Sequence, residues 1–301
     1  MEKNTRNAMA KAALFCAAII WGSSFLVVKD SMDVMQPFFL MAARFTIASV
    51  LLSLVFHKKL KKLNREYFLG DFVIGIFLFL GYTFQTIGII GTTPGKNAFL
   101  TSVYCVLVPF MFWAVDKKKP DAFHIIAAIT TVIGIGLVSL SSSFTIGIGD
   151  SLSLIGGVAY AAHIVSITKY SKGRDPVLLT ILQFGYGAVF SWIAVFIRGD
   201  IPVVWTYQST FGILYLSVLA SAVAMLLQNV GQKYTHPAPA SIILSLEAVF
   251  GVVFSVIFYH EVLTLRLILG FFLIFAAVII SETKLPFLIK DRKEAIGTTT
   301  N

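Results

Sequence analysis

The feature that most constrains this chain is a series of ten apolar stretches, each long enough to cross a bilayer as a helix. A membrane β-barrel would instead show shorter segments of alternating polarity. With 57% hydrophobic and 13% charged residues, the 301-residue chain has too little polar surface for a water-soluble globule. We therefore predict an all-α membrane protein. The predicted spans cover residues 11–29, 37–56, 69–91, 95–115, 121–141, 150–170, 177–197, 209–231, 238–259 and 264–283.

The fourth and ninth spans are related in sequence. They align without a gap at an offset of 143 positions, which places Tyr104 on Glu247. Just upstream, the same offset places Gln85 on Gln228. Internal repeats of this kind are common in secondary transporters, so the remaining spans are compared in the same way.

The first and sixth spans complete the duplication. At an offset of 139 positions Trp21 falls on Tyr160, and Arg44 of the second span falls on Gln183 of the seventh. Each copy therefore holds five spans, and because five is odd, the second copy must be inverted in the membrane relative to the first. We predict a first five-helix repeat at residues 11–141, an inverted repeat at 150–283 and a polar cytoplasmic tail at 284–301.

The basic residues predict the orientation of the chain. Of the 24 Lys and Arg residues, 19 fall on the side of the termini, four on the other side, and Arg44 lies within a span. Because basic loops face the cytoplasm, both termini are predicted to be cytoplasmic. The net charge of +9 is spread over short loops and gives no indication of a nucleic-acid partner. Cys16 and Cys105 have no second ligand at metal spacing, so we expect no metal or cofactor.

A set of motifs occurs in order along the chain: Trp21 to Phe25, Arg44, Ala98 to Leu100 with Val108 and Pro109, and Ser245 to Glu247 with Glu261. This ordered set resembles the EamA type of permease in the drug/metabolite transporter superfamily, over residues 11–283. The resemblance implies a secondary transporter, not an enzyme, that moves small organic solutes across the cytoplasmic membrane by alternating access. It further implies a central cavity and an exporter of amino acids or related metabolites. Where the family often has Pro after the acid of the ninth span, this chain has Ala248.

Two other classes of function are weighed against a transporter. An intramembrane enzyme would need paired acids or several histidines near one membrane face, and the sequence has no such cluster. The second class is a non-transporting sensor or scaffold, and the charged residues within the spans argue only weakly against it. The expected partners are the lipid bilayer and a small solute, with proton coupling and oligomeric state left open.

Glu247 is the residue that most needs an explanation, because a carboxylate at the centre of a span costs about 2.5 to 3.5 kcal/mol. It could bind a substrate ammonium, carry a proton, or hydrogen-bond to a neighbouring helix. Arg44 lies about eight residues into its span, too deep to reach the membrane surface easily. It could bind a substrate carboxylate, pair with Glu247 or cap helix carbonyls. If the two residues pair, the two charges of an amino acid could each replace one partner.

The remaining candidates are polar or aromatic. Gln85 and Gln228 could contact the solute or hydrogen-bond between helices. Aromatic side chains could line the cavity or only pack, and His163 could relay protons or be a buried structural histidine. Lys96 opens the fourth span, where it could form an outer gate or extend to the surface. The full set of candidates is Glu247, Arg44, Tyr104, Gln85, Gln228, His163, Tyr82, Trp21 and Tyr160.

Overall fold

The computed structural model of the protein describes residues 2–117, 119–140, 146–170, 173–201, 205–234 and 237–283. Within these ranges the chain is helical and forms no β-strand, as predicted. The predicted tail at 284–301 lies outside the described residues. The helices are α1 (Glu2–Ser31), α2 (Pro37–Val55), α3 (His57–Leu60), α4 (Arg65–Ile90), α5 (Pro94–Ser102), α6 (Tyr104–Asp116), α7 (Ala122–Ser139), α8 (Ile148–Tyr170), α9 (Pro176–Arg198), α10 (Tyr207–Leu214), α11 (Ala224–Tyr234), α12 (Pro237–Tyr259) and α13 (Leu265–Thr283).

The helices are suited to a membrane by length and composition. Eight helical segments in the described part of the chain are long and apolar enough to cross a bilayer. Two shorter apolar segments, Ile243–Tyr259 and Leu265–Ser281, follow at the positions of the ninth and tenth predicted spans. Large apolar side chains such as Val132, Ile197 and Phe272 are exposed, as a lipid-facing surface requires. The chain is therefore a multi-pass membrane protein.

Two of the predicted spans are interrupted. The fourth consists of α5 and α6, which are separated at Val103, and α6 then continues through Pro109, where the sequence predicts a kink. In the eighth, α10 passes into a π-helix at Tyr215–Val223, called the π segment below, before α11 begins. Hydrogen bonds in a π-helix join residues five apart, so its carbonyls and side chains are displaced relative to those of an α-helix. Both interruptions lie beside the site described below.

Proline marks where four of the helices begin. Pro37, Pro94, Pro176 and Pro237 are the first residues of α2, α5, α9 and α12. Proline is tolerated there because the first turn of a helix has no intrahelical acceptor for its missing N–H. At α9 the preceding residue, Asp175, also caps the helix through its side chain. These starts agree with the predicted spans to within a residue.

Glycine allows the closest helix contacts. The helix α1 packs on α12, where a Cβ atom placed on Gly22 would lie 2.4 Å from the Cβ of Phe250. The helix α4 packs on α8, where a Cβ atom on Gly149 would lie 2.4 Å from the carbonyl carbon of Gly91. No larger residue fits at either place without a shift of the backbone. Further packed pairs are α2 with α9, α5 with α12, and α7 with α13.

Candidate functional site

Glu247 lies on α12 and forms one side of the candidate site. Its Oε1 atom accepts a hydrogen bond of 3.1 Å from the hydroxyl of Tyr104. Tyr104 is the first residue of α6, directly after the break at Val103. Glu247 as a whole residue is partly exposed, so α12 is not completely covered by neighbouring helices at this position. The two residues that contact each other here are the pair that the 143-residue offset aligns.

Arg44 lies on α2 and forms the other side of the site. Only 4% of the residue is exposed. Its Nε atom donates to the Ser221 hydroxyl at 2.7 Å, and Nη2 donates to the Tyr82 hydroxyl at 3.3 Å. The guanidinium carbon also lies 4.6 Å from the centre of the Tyr82 ring, close enough for a cation–π contact. The ion pairs among the described residues do not include Arg44 with Glu247, so the two charges do not pair in this conformation.

Three tyrosines, called the tyrosine series below, lie between the two charged residues. The Tyr82 ring contacts the Tyr160 ring edge-to-face at 5.5 Å between centres, and Tyr160 contacts Tyr104 at 6.3 Å. The hydroxyl of Tyr160 donates to the side-chain oxygen of Gln85 at 3.1 Å. The sequence-predicted residues Arg44, Tyr82, Gln85, Tyr160, Tyr104 and Glu247 are thus joined in one network.

The π segment supplies two groups that the sequence analysis did not single out. The carbonyl of Ala220 accepts a hydrogen bond of 2.7 Å from Trp21 Nε1. The Ser221 hydroxyl donates to the carbonyl of Leu216, five residues earlier, while it accepts from Arg44. π-helical turns often occur at functional sites, where they redirect individual groups. The available signal was the run of small residues from 220 to 222 inside a span that otherwise carries large apolar side chains.

Comparison with known proteins places the chain in a family. The model of the EamA-like transporter family matches residues 9–140 and, a second time, residues 147–283. The chain belongs to this family. An uncharacterized transporter of Archaeoglobus fulgidus is 38% identical over 272 residues, which cover 90% of this chain and 85% of the relative. The uncharacterized transporter YvbV of Bacillus subtilis is 25% identical over 292 residues, which cover 93% and 92% of the two chains.

A solved structure shares the fold of this EamA-like transporter. A crystal structure of a protein aligns with a TM-score of 0.63 and 16% sequence identity, and the match covers 90% of this chain and 96% of that one. Together with the family match, the relatives named as transporters confirm the resemblance stated from the sequence. The protein is a membrane transporter.

Three candidate residues of this EamA-like transporter lie outside the network that joins Arg44 to Glu247. They are Trp21, which donates to the Ala220 carbonyl, His163 and Gln228. The Nε2 atom of His163 on α8 is 2.8 Å from the side-chain oxygen of Gln183 on α9, and the histidine is buried. Gln228 on α11 is half-buried and has no hydrogen-bond partner among the residues that the structure describes. His163 as a proton relay and Gln228 as a site residue therefore stay predictions.

Polar contacts join the helix ends at one end of the bundle. At the end of α1, Lys29 donates to the carbonyls of Ile89 and Ile90 in the last turn of α4, at 2.7 and 2.9 Å. Lys96 in α5 forms an ion pair of 2.6 Å with Asp150 at the start of α8. These contacts hold α1, α4, α5 and α8 together at the end that the charge pattern predicts to be outside.

A second set of polar contacts lies at the opposite end of α4. Lys59 forms an ion pair of 2.8 Å with Asp175, whose backbone N–H donates to the Tyr67 hydroxyl at 2.8 Å. Partial burial raises the pKa of Asp175. Hydrogen bonds from Lys59 and from the Val177 N–H, together with the charges of Lys59 and Lys62, lower this pKa by more than burial raises it. The net result is a pKa below the ordinary value, so Asp175 is ionised at neutral pH.

Proposed function

We propose that this EamA-like transporter moves amino acids or related small organic metabolites across the cytoplasmic membrane by alternating access. Export is the proposed direction, and it rests on the family resemblance alone. Both termini are proposed to lie in the cytoplasm, as the charge pattern predicts. The proposed binding site is the region between Arg44 and Glu247.

The directions of the helices support ten spans in two inverted five-helix repeats. The helices α1 and α4 end side by side, since Lys29 reaches the carbonyl of Ile89. The helix α8 begins where α4 ends, since Gly149 lies against Gly91. The first helix of the second repeat thus runs opposite to the first helix of the first repeat, as an inverted repeat requires.

The observation that carries the proposal is the 3.1 Å contact between Tyr104 and Glu247. Equivalent positions of two repeats come this close only near the axis that relates the repeats. In transporters built from inverted repeats, the solute site lies at this interface near the middle of the membrane. A carboxyl group at that place, on a residue that is not completely buried, is best explained as a group that faces a solute pathway.

The charges of the site favour a solute that carries both signs. Arg44 and Glu247 have opposite charges, and each is hydrogen-bonded to a tyrosine hydroxyl instead of to the other. A solute ammonium would replace the Tyr104 hydroxyl at Glu247, and a solute carboxylate would replace Tyr82 at Arg44. The tyrosine series lies between Arg44 and Glu247. A solute that contacts both residues must therefore extend along the tyrosine series, or the two repeats must move closer together when the solute binds.

Uptake by proteoliposomes tests this proposal. A panel of amino acids, nucleobases and cationic drugs is offered with and without a pH gradient, and we expect transport of at least one amino acid. Glu247→Gln keeps the size of the side chain but removes its charge, and should lower that uptake by about tenfold or more, since a charged hydrogen bond contributes about 1.5–3 kcal/mol. Glu66→Gln removes an exposed carboxyl on α4 and should transport like the wild type.

Three results would bear against the proposal or refine it. Unimpaired transport by a correctly inserted Glu247→Gln variant would remove this residue from the mechanism. Transport of nucleobases or cationic drugs alone would overturn the amino-acid assignment. The exchanged variant, Arg44→Glu with Glu247→Arg, separates a structural role from a role in solute binding. If the variant folds but does not transport, Arg44 and Glu247 act in both folding and solute binding. If it transports, the proposal that each charge must stay at its own position is contradicted.

A further inference from the structure

Asp71 is a buried acid that the proposed site does not use. It lies on α4, and none of its surface is exposed. Neither carboxyl oxygen has a hydrogen-bond partner among the described residues. Asp71 is eleven positions before Tyr82 on the same helix, which corresponds to about 16 Å along the axis. It therefore belongs to a separate place in the molecule.

Arg174 is the cation beside this acid. It lies in the connection between α8 and α9, and its guanidinium is 5.4 Å from the centre of the Tyr67 ring. A Cβ atom on Gly70 would lie 2.3 Å from its Nη1 atom, so the guanidinium rests on the residue next to Asp71. The Nη1 atom is buried and also has no partner in the described part of the chain.

The neighbouring groups are already engaged with other partners. The acid that follows Arg174 in sequence, Asp175, is paired with Lys59. On α9, the hydroxyl of Tyr186 faces the region of Asp71 but donates to the carbonyl of Phe68 at 3.1 Å. Among the described residues, α1, α2, α5 and α8 bring no charged group that acts on Asp71, and the α8 side chain next to Gly70 is that of Tyr170. Asp71 and Arg174 are thus left close together, each with buried atoms that have no hydrogen-bond partner among the described residues.

An ionised carboxylate without hydrogen bonds or solvent is strongly unfavourable, whereas a neutral carboxylic acid is tolerated at such a place. A neutral acid also explains why no ion pair joins Asp71 to the adjacent guanidinium. We propose that Asp71 is a proton-binding site, protonated in this conformation and, once ionised, paired with Arg174. On ionisation the carboxyl proton passes to water at this end of α4, and the carboxylate accepts a hydrogen bond from the free guanidinium nitrogen.

This site has a consequence for transport that rests on the alternating access proposed above. The helix α4 carries Asp71 near its start, and Tyr82 and Gln85 of the candidate site follow eleven and fourteen residues later on the same helix. A shift of α4 against the connection before α9 would form or break the Asp71–Arg174 pair as the candidate site rearranges. One proton would then be taken up or released in each cycle, whatever the solute.

Infrared difference spectroscopy on the purified full-length protein in detergent tests the site without any solute. The wild type at neutral pH should show the stretching band of a buried protonated carboxyl group, and Asp71→Asn should lose intensity at that band. Glu66→Gln, which removes an exposed acid on the same helix, should leave the band unchanged. Arg174→Gln removes the partner of the ionised form, so the band should persist at alkaline pH values where it disappears from the wild type.

The outcomes separate this proposal from the transport mechanism. An unchanged protonated-carboxyl spectrum in Asp71→Asn would show that Asp71 is ionised, which overturns the proposal even if transport is intact. The same pH range for the band in Arg174→Gln and wild type would overturn the pairing with Arg174. If Asp71→Asn does not fold, the Arg174→Gln comparison still decides, because it leaves the carboxyl in place. Failure of the uptake experiments above changes none of these spectra.

Discussion

Replacing Gly22 by alanine should separate α1 from α12 at the level of the candidate site. The added Cβ atom would lie 2.4 Å from the Cβ of Phe250 and 2.9 Å from the carbonyl oxygen of Glu247. Carbon atoms in contact normally lie about 3.5–4.0 Å apart, so the two helices must move by about 1 Å. Both contacting atoms are close to the backbone and cannot rotate away as the end of a flexible side chain could.

The expected cost follows from this overlap. Overpacking of this kind costs about 1–3 kcal/mol in the free energy of unfolding. The shift also displaces Glu247 from Tyr104, and a misplacement of about 1 Å in a site can lower the rate by about 100-fold. We therefore expect Gly22→Ala to lower the transport rate by about 100-fold, in addition to lowering the free energy of unfolding.

Gly185→Ala is the matched control. Its Cβ atom would lie 3.5 Å from the Ser49 hydroxyl, which is an ordinary contact, and alanine favours a helix over glycine by up to about 1 kcal/mol. Thermal unfolding in detergent and uptake by proteoliposomes are measured for both variants. Gly22→Ala should lower the Tm by about 2–6 °C and Gly185→Ala should not. Equal behaviour of the two variants in both assays would refute the argued contact between α1 and α12.

Two further predictions concern charged residues. Arg44→Lys keeps the charge but cannot reproduce the planar set of donors that reaches Ser221, so we expect at least about tenfold slower transport with little change in membrane insertion; wild-type uptake would show that charge alone suffices. Asp175→Asn should cost up to about 1 kcal/mol at pH 7, because its ion pair with Lys59 is partly exposed. Since the folded-state pKa of Asp175 is lowered, this contribution is present above its unfolded pKa of about 3.9 and is lost as the pH falls through the folded value. Thermal unfolding at pH 7 and at about pH 2 should therefore separate the variant from the wild type only at pH 7, and an equal difference at both pH values would contradict the assigned pair.

The sequence predicted much of the candidate site because intramembrane polar residues are few. Glu247 and Arg44 were selected by their charge at the depth of a span, a signal that does not depend on knowing their neighbours. Tyr104 was selected as an aromatic residue that could line the cavity, and the structure brings it into contact with Glu247, the residue with which it aligns. The contact joins two residues that the duplication makes equivalent, 143 positions apart, but the sequence analysis did not predict that they touch.

The sequence did not predict the groups that hold these residues. Ser221 and the carbonyl of Ala220 act through the π segment, and a change in helical pitch leaves no clear trace in apolar periodicity. The buried Asp71 and the neighbouring Arg174 were also missed, since both lie near span ends, where charged residues normally reach solvent. Their burial depends on how α4 packs against the connection before α9.

The sequence alone determined that this chain crosses a membrane repeatedly as helices, and where most of those helices begin. It could do so because a lipid environment requires long apolar segments with internally satisfied backbone groups, and this requirement acts on each segment separately. Only the tertiary structure decided that Arg44 binds Ser221 and Tyr82 instead of Glu247. That choice depends on distances between helices, which are set by close contacts such as that of Gly22 with Phe250 and by the π segment, and not by any single span.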